Sequence, residues 1–315
     1  MRRARLVLIV AALLAVLIGP VRVARAGCGK AAIGIPGAIN PGAMTFEAGS
    51  SGFLEHMGSL SLAAPVTVRG TPSPDAPCPD ADVPAETDVE QFALPRDTRP
   101  IILFFSCRFR DPLDVTKLCH CGAIRHFTFG ALRPAGVGMV EQFRWIDFDV
   151  DLAGNAPVLR AYRNPNSPVL VYCDPLGEEV NRRATRCGNG ELEQDMRQLL
   201  TRAPTQLRNH QRRIDRLNRV LVAGWQALLD RDPQAAIRNF RSVEEQAQQH
   251  RYVSFREGAG HGLEACVETG LVLVSRAAPS AEAPAKLRSL RNIFAGLEEV
   301  TREIDREIEG RNTPR

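Results

Sequence analysis

Thiols are the side chains of this sequence with the most chemistry to offer. Cysteines stand at positions 28, 78, 107, 119, 121, 173, 187 and 266. Cys107 closes the apolar run Ile101 to Ser106, and Cys119-His120-Cys121 follows a short way on. On a helix, residues two apart point roughly 200° apart, so Cys119 and Cys121 can neither pair nor chelate together unless the helix unwinds there. Cys107 with Cys119 or Cys121 is the expected pair, either for thiol exchange or as a structural disulfide. A metal reading would use Cys119, His120 and Cys121 with Cys107 or His126. It lacks the C-x-x-C spacing that supplies tetrahedral ligands from one turn, so no metal is expected. His261 and Cys266 do not share a helical face, and Asp147, Asp149 and Asp151 read as a solvated strand end. Serine-histidine-aspartate, phosphate-loop and paired-carboxylate patterns are lacking, and no cofactor is implied.

The compartment bears on these thiols. Arg2, Arg3 and Arg5 precede the apolar run Leu6 to Ile18, and Ala24-Arg25-Ala26 offers a small-x-small cleavage pattern before Gly27. We expect residues 1–26 to be a signal peptide and the rest to be exported, to a periplasm or outside the cell, where disulfides persist. A lipid anchor on Cys28 is disfavoured by Arg25. Five arginines leave with the leader, so the remainder carries 35 basic against 36 acidic residues. The basic character belongs to the leader, and a nucleic-acid partner loses its electrostatic support. No further stretch is apolar for long enough to span a membrane.

The elements that must position the thiols can be read from pattern. Residues 27–99 are rich in Gly, Pro, Ala and Ser, and Thr71 to Asp88 reads as a linker or loosely ordered arm. A small β element is expected between Leu60 and Val68, and a Cys28–Cys78 disulfide is one of two readings for that pair. Ile101 to Ser106 reads as a strand covered on both faces. Asp111-Pro112 is a helix start, with the helix running towards His126. Phe143 to Val150 reads as a strand, Pro157 to Tyr162 as a short helix and Val169 to Cys173 as a buried strand. Asp174-Pro175-Leu176-Gly177 suits a type I turn returning through Glu178 to Arg182. Leu192 to Leu200 reads as a last helix, and a Cys173–Cys187 bridge would be structural.

This order, β-α-β-α-β-β-α, resembles a thioredoxin-like domain. The resemblance covers about Pro100 to Leu200 and rests on IILFF, WIDFDVD, VLRAY, Ser167-Pro168 and VLVYCDPLGEEV. It implies that Ser167-Pro168 holds the family's cis-proline, beside the active-site loop and open to an extended substrate. In the same register Arg110-Asp111-Pro112-Leu113 stands where the family has Cys-x-x-Cys. Arg110 and Leu113 can neither attack nor resolve a disulfide. The resemblance therefore implies a domain that is inactive at the usual site and binds a protein partner or extended polypeptide around Ser167, Pro168, Arg110, Asp111 and Pro112. The alternative is an atypical thiol-disulfide oxidoreductase using Cys107 with Cys119 or Cys121, and a metal-handling protein is a third reading.

Beyond Pro204 the composition turns helical. Leu207, His210, Ile214, Leu217 and Leu221 form one amphipathic stripe, and Leu287, Leu290, Phe294, Leu297, Thr301, Ile304 and Ile308 form another. Trp225 to Ala247 reads as a helical hairpin broken at Asp232-Pro233, and GWQALLDRDPQAAIRNF, Gly224 to Phe240, resembles a single tetratricopeptide-type repeat without a second copy. Ser254 to Arg276 carries glycines that argue for close helix packing or a break. The expected architecture is an α/β thioredoxin-like domain over 100–203 plus a C-terminal all-α helical bundle over 204–315.

Overall fold

The computed structural model describes residues 47–50, 52–106, 139–163, 165, 168–184, 189–280 and 282–312. Its strands, in chain order, are β1 (Glu47–Ala48), β2 (Ser61–Leu62), β3 (Val66–Arg69), β4 (Glu86–Val89), β5 (Phe92–Ala93), β6 (Ile101–Ser106), β7 (Arg144–Asp149), β8 (Val169–Cys173) and β9 (Glu179–Ala184). The helices are α1 (Phe53–His56), α2 (Ala156–Ala161), α3 (Asn189–Leu229), α4 (Pro233–Gln249), α5 (Val253–Ala277), α6 (Ala283–Ile293) and α7 (Glu298–Asn312).

The run IILFFS forms β6, and all six of its residues are buried. It sits at the centre of a five-stranded sheet ordered β1-β7-β6-β8-β9. β1 and β6 both run parallel to β7, while β8 and β9 form an antiparallel hairpin against β6. Alternation along β6 divides the core. Ile101, Leu103 and Phe105 pack with Phe53, Phe148, Val158 and Tyr162 on one face. Ile102 and Phe104 pack with Trp145, Tyr172, Leu192 and Met196 on the other. A strand covered on both faces has no use for polar alternation, which is why it reads as a continuous apolar run.

The segment expected to be a loose arm is instead a packed layer. β3 and β4 pair antiparallel, as do β2 and β5. Val68, Cys78, Ala81, Val89 and Phe92 join the core formed by α3, α4 and α5. Asn218 on α3 acts as a surrogate strand partner, since its amide accepts from Phe92 N at 3.0 Å and donates to Phe92 O at 2.8 Å. Few apolar residues are needed when backbone groups find such partners. Cys78 carries a free, buried thiol, which removes the Cys28–Cys78 disulfide.

Two helix boundaries also differ from the sequence pattern. The helix expected to stop at Leu200 runs as α3 from Asn189 to Leu229, with Pro204 inside it. At 1.5 Å per residue it is about 60 Å long and joins the sheet to the other helices as one rod. The stripe from Leu287 to Ile308, read as one helix, is split into α6 and α7, with Gly296 between them at φ +94°. The break at Asp232-Pro233 is found as expected, and Asp232 caps α4 by accepting from Ala235 N at 3.0 Å. Among the described residues no helix is long and apolar enough to cross a membrane.

Candidate functional site

Pro168 precedes β8 and is buried. Phe105 lies opposite Val169 in the β6–β8 ladder, so the antiparallel register brings Pro168 beside Ser106, the last residue of β6. Ser106 Oγ donates to Asp147 Oδ1 at 3.0 Å, and both side chains are buried. Asp147 is therefore no solvated strand end, in contrast to the sequence expectation. Its side chain lies on the same sheet face as Trp145 and turns inward, while Asp151 lies beyond the strand and is exposed. Cys107, Arg110, Asp111, Pro112, Cys119, His120, Cys121, His126 and Ser167 lie outside the described residues. Of the residues expected to form the site, the structure thus places Pro168 alone.

The thiols it does place are unreactive. Cys78, Cys173 and Cys266 are free and buried. Burial pushes the Cys78 thiol up to about 11, with the Asp232 and Asp80 carboxylates adding to the effect. Burial pushes Cys266 up to about 12 and raises Cys173 further. Cys173 packs under Tyr162, Sγ to hydroxyl at 3.8 Å, and is not bridged to Cys187. A protonated thiol without solvent access is neither nucleophile nor ligand. His261 is exposed and Cys266 buried, so they form no site either.

A second constellation went unnoticed in the sequence. The turn after β8 is built on Asp174, whose Oδ1 accepts from Leu176 N and Glu178 N, each at 2.9 Å. Gly177 N closes the turn on Asp174 O at 3.0 Å, with Gly177 at φ +84°, a conformation glycine adopts without Cβ strain. Tyr162 OH donates to Gly177 O at 2.8 Å and fixes the turn from the sheet side. On the other side Leu176 enters the core of the helical layer.

There Asp174 Oδ2 meets His210 Nε2 at 2.6 Å, and His210 Nδ1 meets the Tyr252 hydroxyl at 2.6 Å. All three residues are buried. These partners fit an imidazole that donates from Nε2 to the carboxylate and accepts from Tyr252 at Nδ1. Burial raises the Tyr252 phenol to about 12, with Arg213 acting against that rise. Arg213 also reaches His250 Nδ1 at 3.5 Å. Both imidazole nitrogens of His210 are engaged, so no nitrogen is left to take a proton from a nucleophile. Glu178 Oε2 lies 4.0 Å from His210 Nε2, and its side chain is 64 % exposed. Asp174, Glu178 and His210 are the group of metal-capable side chains found among the described residues. The signal that could have revealed them is His210 itself, a titratable residue in an otherwise apolar stripe at a position that must be buried.

No family model matches this chain, and no curated protein matches it. Among solved structures, a mutant thioredoxin from Halobacterium salinarum NRC-1 aligns with 32 % of this chain and 75 % of its own length, at 16 % identity and a TM-score of 0.22.

Proposed function

We propose that this chain is an exported, thioredoxin-like protein, non-catalytic at the usual thiol position, that binds a protein partner or extended polypeptide through the face around Ser167-Pro168. Arg110, Asp111 and Pro112 contribute to that face, and the helical extension enlarges it. The supporting observation is the pairing of Phe105 with Val169, which brings Pro168 to the end of β6 from which the chain runs on to Arg110. The buried, protonated state of Cys78, Cys173 and Cys266 leaves catalysis no described thiol to use.

A second reading, thiol-disulfide exchange by Cys107 with Cys119 or Cys121, draws support from the sequence, in which Cys107 directly follows Ser106 at the end of β6. The two readings separate in one assay. Under the first, the purified mature chain gives no faster reduction of a small disulfide than its Cys107→Ser variant. Turnover that Cys107→Ser abolishes would establish the second. For the binding arm, extended peptides selected on the chain should lose binding to Ser167→Trp and weaken on Arg110→Ala. Unchanged binding to both variants removes this face as the binding site.

A further inference from the structure

The Asp174, Glu178 and His210 cluster takes no part in the function proposed above, yet it is built as ligand sites are built. One ligand atom from each residue lies within 4.8 Å of the others. Asp174 is oriented before any ligand arrives, because the Leu176 and Glu178 amides hold Oδ1 and leave Oδ2 facing the imidazole. His210 is oriented too, since Tyr252 holds Nδ1, which is the outer support that metal-bound histidines use. Glu178 stands at the solvent rim with its side chain 64 % exposed, while the Asp174 and His210 side chains are 2 % and 4 % exposed. The site therefore has a buried floor and an exposed wall.

Spacing and charge select the ion. Neighbouring ligands in an octahedron with bonds of about 2.1 Å lie about 3 Å apart, and Asp174 Oδ2 to His210 Nε2 is 2.6 Å. A shift of a few tenths of an ångström opens that pair. Tetrahedral zinc needs a separation of about 3.3 Å and favours softer donors. Two carboxylates and a neutral imidazole balance a dication, and the nearby cation Arg213 is engaged with His250 Nδ1 and with Tyr252, while burial and Arg213 disfavour the charged form of His250.

We propose that Asp174 Oδ2, a Glu178 carboxylate oxygen and His210 Nε2 form a site for an oxygen-preferring divalent cation of the manganese class, with water completing the shell. On binding, the Nε2 proton is given up and one is taken up at Nδ1, which then donates to the Tyr252 oxygen, so no net proton is released. The bound ion would tie the β8–β9 turn to the middle of α3.

Manganese chloride is titrated into the full chain after its accessible thiols are alkylated, and free Mn²⁺ is followed by its paramagnetic resonance signal. The expected result is one site per chain, weakened about ten-fold or more in Glu178→Gln and lost in His210→Gln, with a thermal midpoint raised by Mn²⁺ in the parent only. Glu178 is exposed, so E178Q leaves the fold intact and carries the decision if H210Q fails to fold. No binding up to millimolar Mn²⁺, or the same affinity in the parent and E178Q, overturns the proposal.

Discussion

Gly224 on α3 and Gly262 on α5 close on the same aromatic ring, that of Phe240 on α4. A Cβ at Gly224 would lie 2.5 Å from Phe240 Cε1, and one at Gly262 would lie 2.4 Å from it. Real contacts are never that short, so the absence of side chains here sets how closely the three helices approach. Alanine at either position gains up to about 1 kcal/mol of helix propensity. Overpacking a filled core costs about 1–3 kcal/mol, and more when the obstacle is a buried ring. We expect Gly262→Ala to lower the urea midpoint, and Phe240→Leu in the same chain to recover part of the loss. Additive effects of the two substitutions would show that the ring is not the obstacle.

The Asp174–His210 contact predicts an ordered pair of losses. His210→Ala leaves a buried carboxylate without its partner and should cost about 3 kcal/mol, measured with a chelator present. Asp174→Ala should cost more, because it also orphans the Leu176 and Glu178 amides that its Oδ1 accepts. A loss under about 0.5 kcal/mol for either, the range of ordinary surface changes, would show that the turn does not depend on this contact.

What could be read beforehand follows from the range of the forces involved. The strands Ile101–Ser106 and Val169–Cys173 and the turn at Asp174-Pro175-Leu176-Gly177 are local signals of burial and backbone geometry, and the structure contains them where the sequence placed them. The glycines between Ser254 and Arg276 left close packing or a break open; α5 runs unbroken through them, and Gly262 and Gly270 lie against Phe240 and Val300. The β element expected between Leu60 and Val68 is present as β2 and β3, but the packing of the segment after it was not legible, because it is held by partners far along the chain. Asn218 pairs with Phe92, Gln226 Nε2 donates to Arg69 O at 2.9 Å, and Asp230 Oδ1 accepts from Thr71 N at 2.6 Å. The meeting of Asp174, His210 and Tyr252 was invisible likewise, since nothing in the local pattern of any one names the others.

Pro204 gives a prediction of opposite sign. It lies on the exposed side of α3, in a helix that continues on both sides of it. Proline removes the amide that would donate to the carbonyl of Leu200 and crowds that carbonyl with its ring. Pro204→Ala should therefore raise the urea midpoint by about 1–3 kcal/mol in stability, at an unchanged dependence on urea. An unchanged midpoint would indicate that α3 is interrupted at 204 in solution, as the change of composition there first suggested.

The buried thiols predict how stability falls in alkali. Cys78 and Cys266 are held up at about 11 and about 12, and Cys173 is raised as well, whereas an unfolded thiol ionises near about 8.5. Below that value both states are protonated and the contribution is fully present. Above it the unfolded chain loses protons that the folded chain keeps, so stability falls as pH rises towards the folded values. Tyr252, raised to about 12, acts in the same direction but only above about pH 10, where an unfolded phenol ionises. The urea midpoint should therefore be level from pH 7 to 8 and decline between about 8.5 and 10, where thiols alone carry the effect. Replacing Cys78 and Cys266 by Ala together should flatten that decline even though each change removes some packing. The same burial means that iodoacetamide at pH 8 should leave positions 78, 173 and 266 unmodified in the folded chain and modify them once urea is added. Equal labelling in both states would place these thiols at the surface and remove the basis for excluding them from thiol chemistry.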